Sequence, residues 1–189
     1  KEKEVVGIYI SGHPLDEYKV DIKSFCTGSL EYVNSVDSYK NQEFTLAAII
    51  TMVEHRFTRK GDPFGTLTIE DYNDTARINL FNHDYGKYKD FMIEGAFVFI
   101  TGKIEPKRWN PQDFEFSIKR MDFLSNIREQ MASGIEIKMP IKEVNHQNID
   151  LLNDMFEASP GKFQVKFMVV DELNKLEVEM PSRALKVDI

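Results

Sequence analysis

Residues 43–81 read EFTLAAIITMVEHRFTRKGDPFGTLTIEDYNDTARINLF, and the alternation of side chains along this stretch decides the fold. Residues 44–53 are apolar on both alternating sets, as in a strand that bends through a barrel and packs on both faces. Residues 66–70 and 76–81 alternate cleanly. That predicts Leu67, Ile69, Ile78 and Leu80 in the core, with Thr66, Thr68, Arg77, Asn79 and Phe81 on the outer face. Asp71, Tyr72, Asn73 and Asp74 supply the turn between these two strands.

Beyond Phe81, residues 83–93 carry Tyr85, Tyr88 and Met92 at helical spacing, and residues 97–104 and 114–118 read as two more strands. Strand, strand, strand, helix, strand, strand is the order of the OB fold, where a generic meander would not normally place a helix. Residues 43–124 are therefore expected to form an all-β OB-fold barrel of five strands plus a short helix. Residues 1–42 read as a helical segment. In it a short amphipathic stretch over residues 1–11 is broken by Gly12, His13 and Pro14, and a second helix runs through Leu15, Tyr18, Ile22 and Phe25. Residues 35–42 are a polar linker.

Residues 125–189 read as a small α+β domain. A short helix over 125–132 is closed by Ser133 and Gly134, followed by a strand over 135–139 and an amphipathic helix over 147–158. After a turn at Ser159, Pro160 and Gly161, Phe163, Val165, Phe167 and Val169 alternate and pair with residues 176–180 as a hairpin across residues 171–175. The first residue is not methionine, the start reads as mid-helix, and the last elements look cut off at Ile189. An excised piece of a longer chain is the expectation.

The formal net charge of -7 means that the chain as a whole would be repelled by a phosphate backbone. Nucleic-acid binding would have to come from a local basic patch and would be weak and salt-sensitive. Cys26 is the one cysteine, which excludes an internal disulfide; it reads as a small half-buried thiol. No apolar run approaches the roughly 20 residues of a membrane span, and the N-terminal run is too short and broken for a signal peptide, so no membrane and a cytoplasmic setting are expected.

Two loops could carry binding chemistry. Residues 55–64, HRFTRKGDPF, set Arg56, Arg59 and Lys60 beside Phe57 and Phe64. Residues 104–113, IEPKRWNPQD, repeat the mixture with Lys107, Arg108 and Trp109. Cations neutralise phosphates, and aromatic rings offer bases a stacking platform worth about 1–3 kcal/mol each. In an OB barrel these two loops rise on either side of one face, where Arg77, Asn79 and Phe81 already point outward. The bland alternative stands beside this: solvated basic hairpins, a Trp109 that merely covers a barrel mouth, and Asp62, Asp113 and Glu115 diluting the patch.

Catalysis is less supported. His13, His55, His83 and His146 have no partner at metal-ligand or triad spacing, so no metal and no cofactor are expected. Asp71 and Asp74 are better explained by their turn than as a carboxylate pair. No phosphate-binding glycine loop is present. Leu152, Met155 and Phe156, in the LLNDMF stretch of the tail helix, favour core packing over a clamp-docking peptide.

EKEVVGIYISGHPLDEY, residues 2–18, closely resembles the segment that precedes the OB domain in the alpha subunit of bacterial DNA polymerase III, departing mainly at Val6. Residues 58–64 (TRKGDPF), 67–71 (LTIED), 81–88 and 98–104 are similar to that family's barrel motifs. The likeness covers nearly the whole chain and is weakest beyond residue 134. It implies a replicative DNA-directed DNA polymerase, a nucleotidyltransferase of the replisome, whose catalytic palm and principal clamp-binding peptide lie upstream of residue 1. No catalytic residue can therefore be carried over to this chain. It further implies an OB domain that meets single-stranded template and a terminal domain that contacts the tau subunit of the clamp loader.

Three readings follow. In the first, residues 43–124 hold single-stranded DNA, with Arg56, Arg59, Lys60, Lys107 and Arg108 on phosphates, Phe64, Phe81 and Trp109 under bases, and Arg77 and Asn79 on the same binding face. In the second, the chain is a docking platform for tau or the sliding clamp beside the rest of the alpha subunit. The third, an anticodon-binding barrel of a tRNA synthetase, is opposed by residues 2–18.

Overall fold

The computed structural model describes residues 12–188. The amphipathic stretch expected over residues 1–11 lies outside the described residues. The chain divides into two units between Ile127 and Arg128.

The first unit is built on one strand. β1 (Glu43–Phe57) pairs antiparallel with β4 (Phe97–Lys107) over Glu43 to Ile49, and with β2 (Pro63–Glu70) over Ile49 to Phe57. A bulge between Ile50 and Met52 lets it leave one neighbour and turn to the other. β3 (Thr75–Phe81) pairs with β2 and β5 (Asn110–Phe123) with β4, giving the antiparallel order β3-β2-β1-β4-β5. Helix α3 (Asn82–Tyr88) separates β3 from β4 in sequence. This is the OB order, a partly open barrel whose seam lies between β3 and β5.

Alternation explains the core. Phe44, Leu46, Ala48 and Ile50 of β1 point inward with Leu67 and Ile69, Ile78 and Leu80, Val98, Ile100 and Ile104, and all are buried. Each of the larger side chains taken from water contributes about 1.5–3 kcal/mol. The opposite set of β1 is also covered: Ala47 packs with Leu15, Phe99, Leu124 and Ile127 in a second cluster, against which Tyr18, Ile22 and Phe25 lie. The doubly apolar pattern of residues 44–53 thus has a cause on each face.

Several sequence expectations change. Residues 15–25 are not one helix: a 3-10 turn, Pro14–Tyr18, precedes α1 (Lys19–Phe25). His13 Nδ1 accepts the Leu15 N–H at 3.1 Å and Asp16 accepts the His13 N–H at 2.9 Å, winding this entry tightly around Pro14. A further helix, α2 (Leu30–Asn34), is too short to show periodicity in sequence. The strands run beyond their expected ends because an exposed ladder can continue with polar outward side chains. Thr66, expected outside, is only 3% exposed, since β2 is flanked on both sides and its hydroxyl donates to Asn79 Oδ1 at 2.8 Å.

The second unit places β6 (Gly134–Pro140) parallel to β7 (Pro160–Asp171), with α5 (His146–Ala158) as the crossover, and β8 (Leu176–Val187) antiparallel to β7. Asn145 caps α5, its side chain accepting the Asn148 N–H at 3.0 Å. Phe163, Val165 and Val187 are buried, and Phe156 of α5 meets Phe167 edge-on at 6.2 Å. The helix expected over 125–132 is α4 (Ile127–Met131). Gly134 opens β6 instead of closing that helix, and a Cβ there would stand 2.5 Å from the Gln164 carbonyl oxygen. Pro160 and Gly161, expected as a turn, begin β7.

Asp71 ties the β2–β3 turn to the segment before the barrel. It is only 7% exposed, and its carboxylate accepts the Leu30 N–H at 2.8 Å and the Asn73 and Asp74 N–H groups at 2.9 Å each. It shapes the β2–β3 turn and anchors the start of α2. Asp71→Ala is expected to lower the unfolding free energy by about 3 kcal/mol, because three backbone donors lose a charged acceptor. Urea denaturation followed by circular dichroism checks this.

Candidate nucleic-acid interface

The register of β1, β2 and β3 lays nine outward side chains on one face. Arg56, Phe64 and Phe81 form one cross-strand row; Glu54, Thr66 and Asn79 the next; Met52, Thr68 and Arg77 the third. The rings of Phe64 and Phe81 stack at 5.1 Å between centroids, inclined by 21°, and Phe81 stays 48% exposed. Glu54 spans the rows. Its Oε1 lies 2.7 Å from Arg56 Nη2 and its Oε2 lies 2.6 Å from Arg77 Nη2. The sequence reading missed Glu54, although cross-strand pairing of the hairpin was the signal that could have found it.

The barrel seam opens as a cleft of about 700 Å³ between β3 and the β4–β5 hairpin. Arg77, Asn79 and Phe81 line one side, Lys107, Arg108 and Trp109 the other, with Ile78 and Ile118 also contributing. Six of the ten candidate residues are thus brought together. Trp109, the sole tryptophan, is 76% exposed. Arg56, Arg59, Lys60 and Phe64 do not line the cleft, although the Phe64 ring reaches its edge through Phe81.

Both expected loops are shorter than residues 55–64 and 104–113. The β1–β2 connection is Thr58 to Asp62, closed by the Thr58 N–H on the Asp62 carbonyl at 2.8 Å and by Gly61 at φ +88°. Arg56, Phe57 and Phe64 are strand residues, so only Arg59 and Lys60 stand at the tip. The β4–β5 connection is only Arg108 and Trp109, and Pro111 falls in an irregular stretch of the ladder that follows.

The cleft is electrically balanced. Arg77, Lys107 and Arg108 face Asp84, Glu105 and Glu115 among its lining residues. Glu105 is held below its ordinary carboxylate range chiefly by the hydrogen bond from Lys119, at 2.7 Å. Stacking and hydrogen bonding, rather than bulk positive charge, are what this surface offers a ligand.

Residues 135–189 match the family model "DNA polymerase III alpha subunit, C-terminal domain". The chain is 28% identical to the DNA polymerase III subunit alpha of Borreliella burgdorferi, over 96% of this chain and 16% of that one. The chain is thus similar to the C-terminal region of the DNA polymerase III alpha subunit. The Escherichia coli K12 subunit is 22% identical over 82% of this chain and 13% of its own. The chain therefore spans 13–16% of the length of these curated alpha subunits. Among solved structures, the second OB-fold domain of replication protein A from Methanococcus maripaludis is similar at 16% identity, with a TM-score of 0.29 over 45% of this chain and 86% of that one.

Elsewhere in the first unit, Cys26 is half-buried, and burial, reinforced by the Asp21 carboxylate, pushes its thiol from 9.0 up to about 12. Among the described residues no three His, Cys, Asp or Glu side chains gather as a metal set, and no helix is long and apolar enough to cross a membrane. The thiolate is the reactive form, so at mildly alkaline pH a rise of this size cuts its population about a thousandfold. Because a thiolate of higher pKa is also the stronger nucleophile, labelling with Ellman's reagent is expected to be slower in the native protein than in concentrated guanidinium by roughly 30- to 60-fold.

Proposed function

We propose that the barrel is a single-stranded DNA-binding module of a replicative DNA polymerase alpha subunit, acting in the cytoplasm on template near the polymerase site. One observation carries this reading: Phe81 and Trp109, far apart in sequence, line the same cleft with Arg77, Asn79, Lys107 and Arg108. Bases stack on the two exposed rings and phosphates meet the three cations. Arg56 and Phe64 extend the path along the outer face, and Arg59 and Lys60 lie at its distal tip. With as many carboxylates as cations in the cleft, binding is weak and only mildly salt-dependent.

Titration of the chain with oligo-dT is expected to quench Trp109 fluorescence. The logarithm of affinity should fall with the logarithm of salt at a slope of roughly −2 or shallower, since each phosphate neutralised on a single strand contributes about −0.7. Trp109→Ala and Phe81→Ala each cost about 1–3 kcal/mol of binding, or roughly 5- to 150-fold. Replacing Arg59 and Lys60 together by alanine costs less. Absence of any oligo-dT response at low salt would overturn the reading.

A second reading, docking to the tau subunit or the sliding clamp, is favoured by a separate observation on the second unit. Leu176, Val178 and Met180 alternate along β8 and are all exposed, as are Leu151 and Met155 of α5. The expected core role of residues 152–156 is only partly met there: Phe156 packs on Phe167, while Met155 is exposed. Capture of purified tau or clamp by the immobilised chain, weakened by Val178→Asp, is the expected outcome. Silence from both partners counts against it.

A further inference from the structure

We propose that Glu54 restrains the two arginines of the binding face and so sets how weakly the barrel holds a phosphate backbone. The inference rests on reading that face as a single-strand site. Each carboxylate oxygen is engaged by a different guanidinium: Oε1 by Arg56 at 2.7 Å and Oε2 by Arg77 at 2.6 Å. The two arginines come from different places. Arg56 lies two residues along β1, in the row with the Phe64 and Phe81 rings; Arg77 reaches diagonally across β2 from β3 and also lines the cleft. Glu54 itself is about three-quarters shielded, at 27% side-chain exposure, whereas both arginines are more than half exposed.

A phosphate arriving on this face meets a group of net charge +1, not +2, and one in which both guanidiniums already hold a carboxylate oxygen. To gain a paired contact of its own with Arg77, the phosphate must displace that oxygen. Glu54 therefore competes with the DNA backbone at the point where the outer face and the cleft meet. A template that has to slide during synthesis is served by such a contact, because no phosphate is held tightly.

The test is oligo-dT binding by the full chain at several salt concentrations, followed by anisotropy of a labelled strand, for wild type, Glu54→Gln, Glu54→Asp, Arg77→Ala and the Glu54→Gln, Arg77→Ala double variant. Glutamine keeps the size and loses the charge. Glu54→Gln is expected to bind roughly two- to fivefold more tightly at low salt, the range measured for exposed ion pairs. Its salt slope should steepen by about 0.7, the increment for one freed cation on a single strand. Glu54→Asp keeps the charge and should stay close to wild type. The gain of Glu54→Gln should shrink when Arg77 is also removed, which makes Arg77 one of the two residues released. If wild type binds and Glu54→Gln binds equally or less well at unchanged slope, the restraint is overturned while the DNA-binding reading stands. If neither binds at low salt, both are overturned.

Discussion

The barrel depends on a single strand having to serve two partners. β1 gives its first half to β4 and its second half to β2, and the change of partner occurs at the bulge between Ile50 and Met52. A flat strand could not do this, because the two ladders would share one plane and never close; the bulge supplies the bend and extra twist. Along its first half β1 is covered on both faces. The inward set meets the barrel core, and Ala47 meets the cluster built with Leu15, Phe99, Leu124 and Ile127. The segment before the barrel is thus a structural part of it.

The same topology creates the candidate site. With β1 at the centre, β3 and β5 become the two ends of the sheet, and they approach without a ladder between them. A seam of that kind cannot be filled by alternating apolar side chains alone, so it is lined by what the two ends present: Arg77, Asn79 and Phe81 from β3, and the hairpin residues Lys107, Arg108 and Trp109. Stacking the exposed Phe81 ring on Phe64 holds it in a defined orientation, which lowers the entropy a ligand would have to remove. The balance of charge, with Glu54 between two arginines and three carboxylates in the cleft, suits a contact made and broken often.

Much of this was legible in the chain. The alternation over residues 66–70 and 76–81 put Leu67, Ile69, Ile78 and Leu80 inside, and all four are buried. The position of the helix after the third strand identified the barrel, and Asp71 reads as a turn residue in both sequence and structure. The ends of the hairpins were not legible, because Arg56 or Phe64 in a strand and Arg56 or Phe64 in a loop have the same composition. Only the continuing ladder distinguishes them. Thr66 takes the outer face as expected and yet is buried, because period two tells which face a residue takes, not whether its neighbours shut out water.

Sequence alone determined the barrel, the order of its elements and the two basic, aromatic clusters, since periodicity and turn chemistry are local and survive without a fold. It also carried the likeness to the polymerase alpha subunit, through the short run SGHPLDEY and the motifs that follow. Tertiary structure alone decided which of those clusters meet. Trp109 shares a cleft with Phe81 and Arg77 because β3 and β5 are the ends of one curled sheet, whereas Arg59 and Lys60 stand apart at the tip of a long hairpin. It decided as well that Glu54 holds both arginines, because an ion pair across two strands is a matter of register, and register is set only when the strands pair.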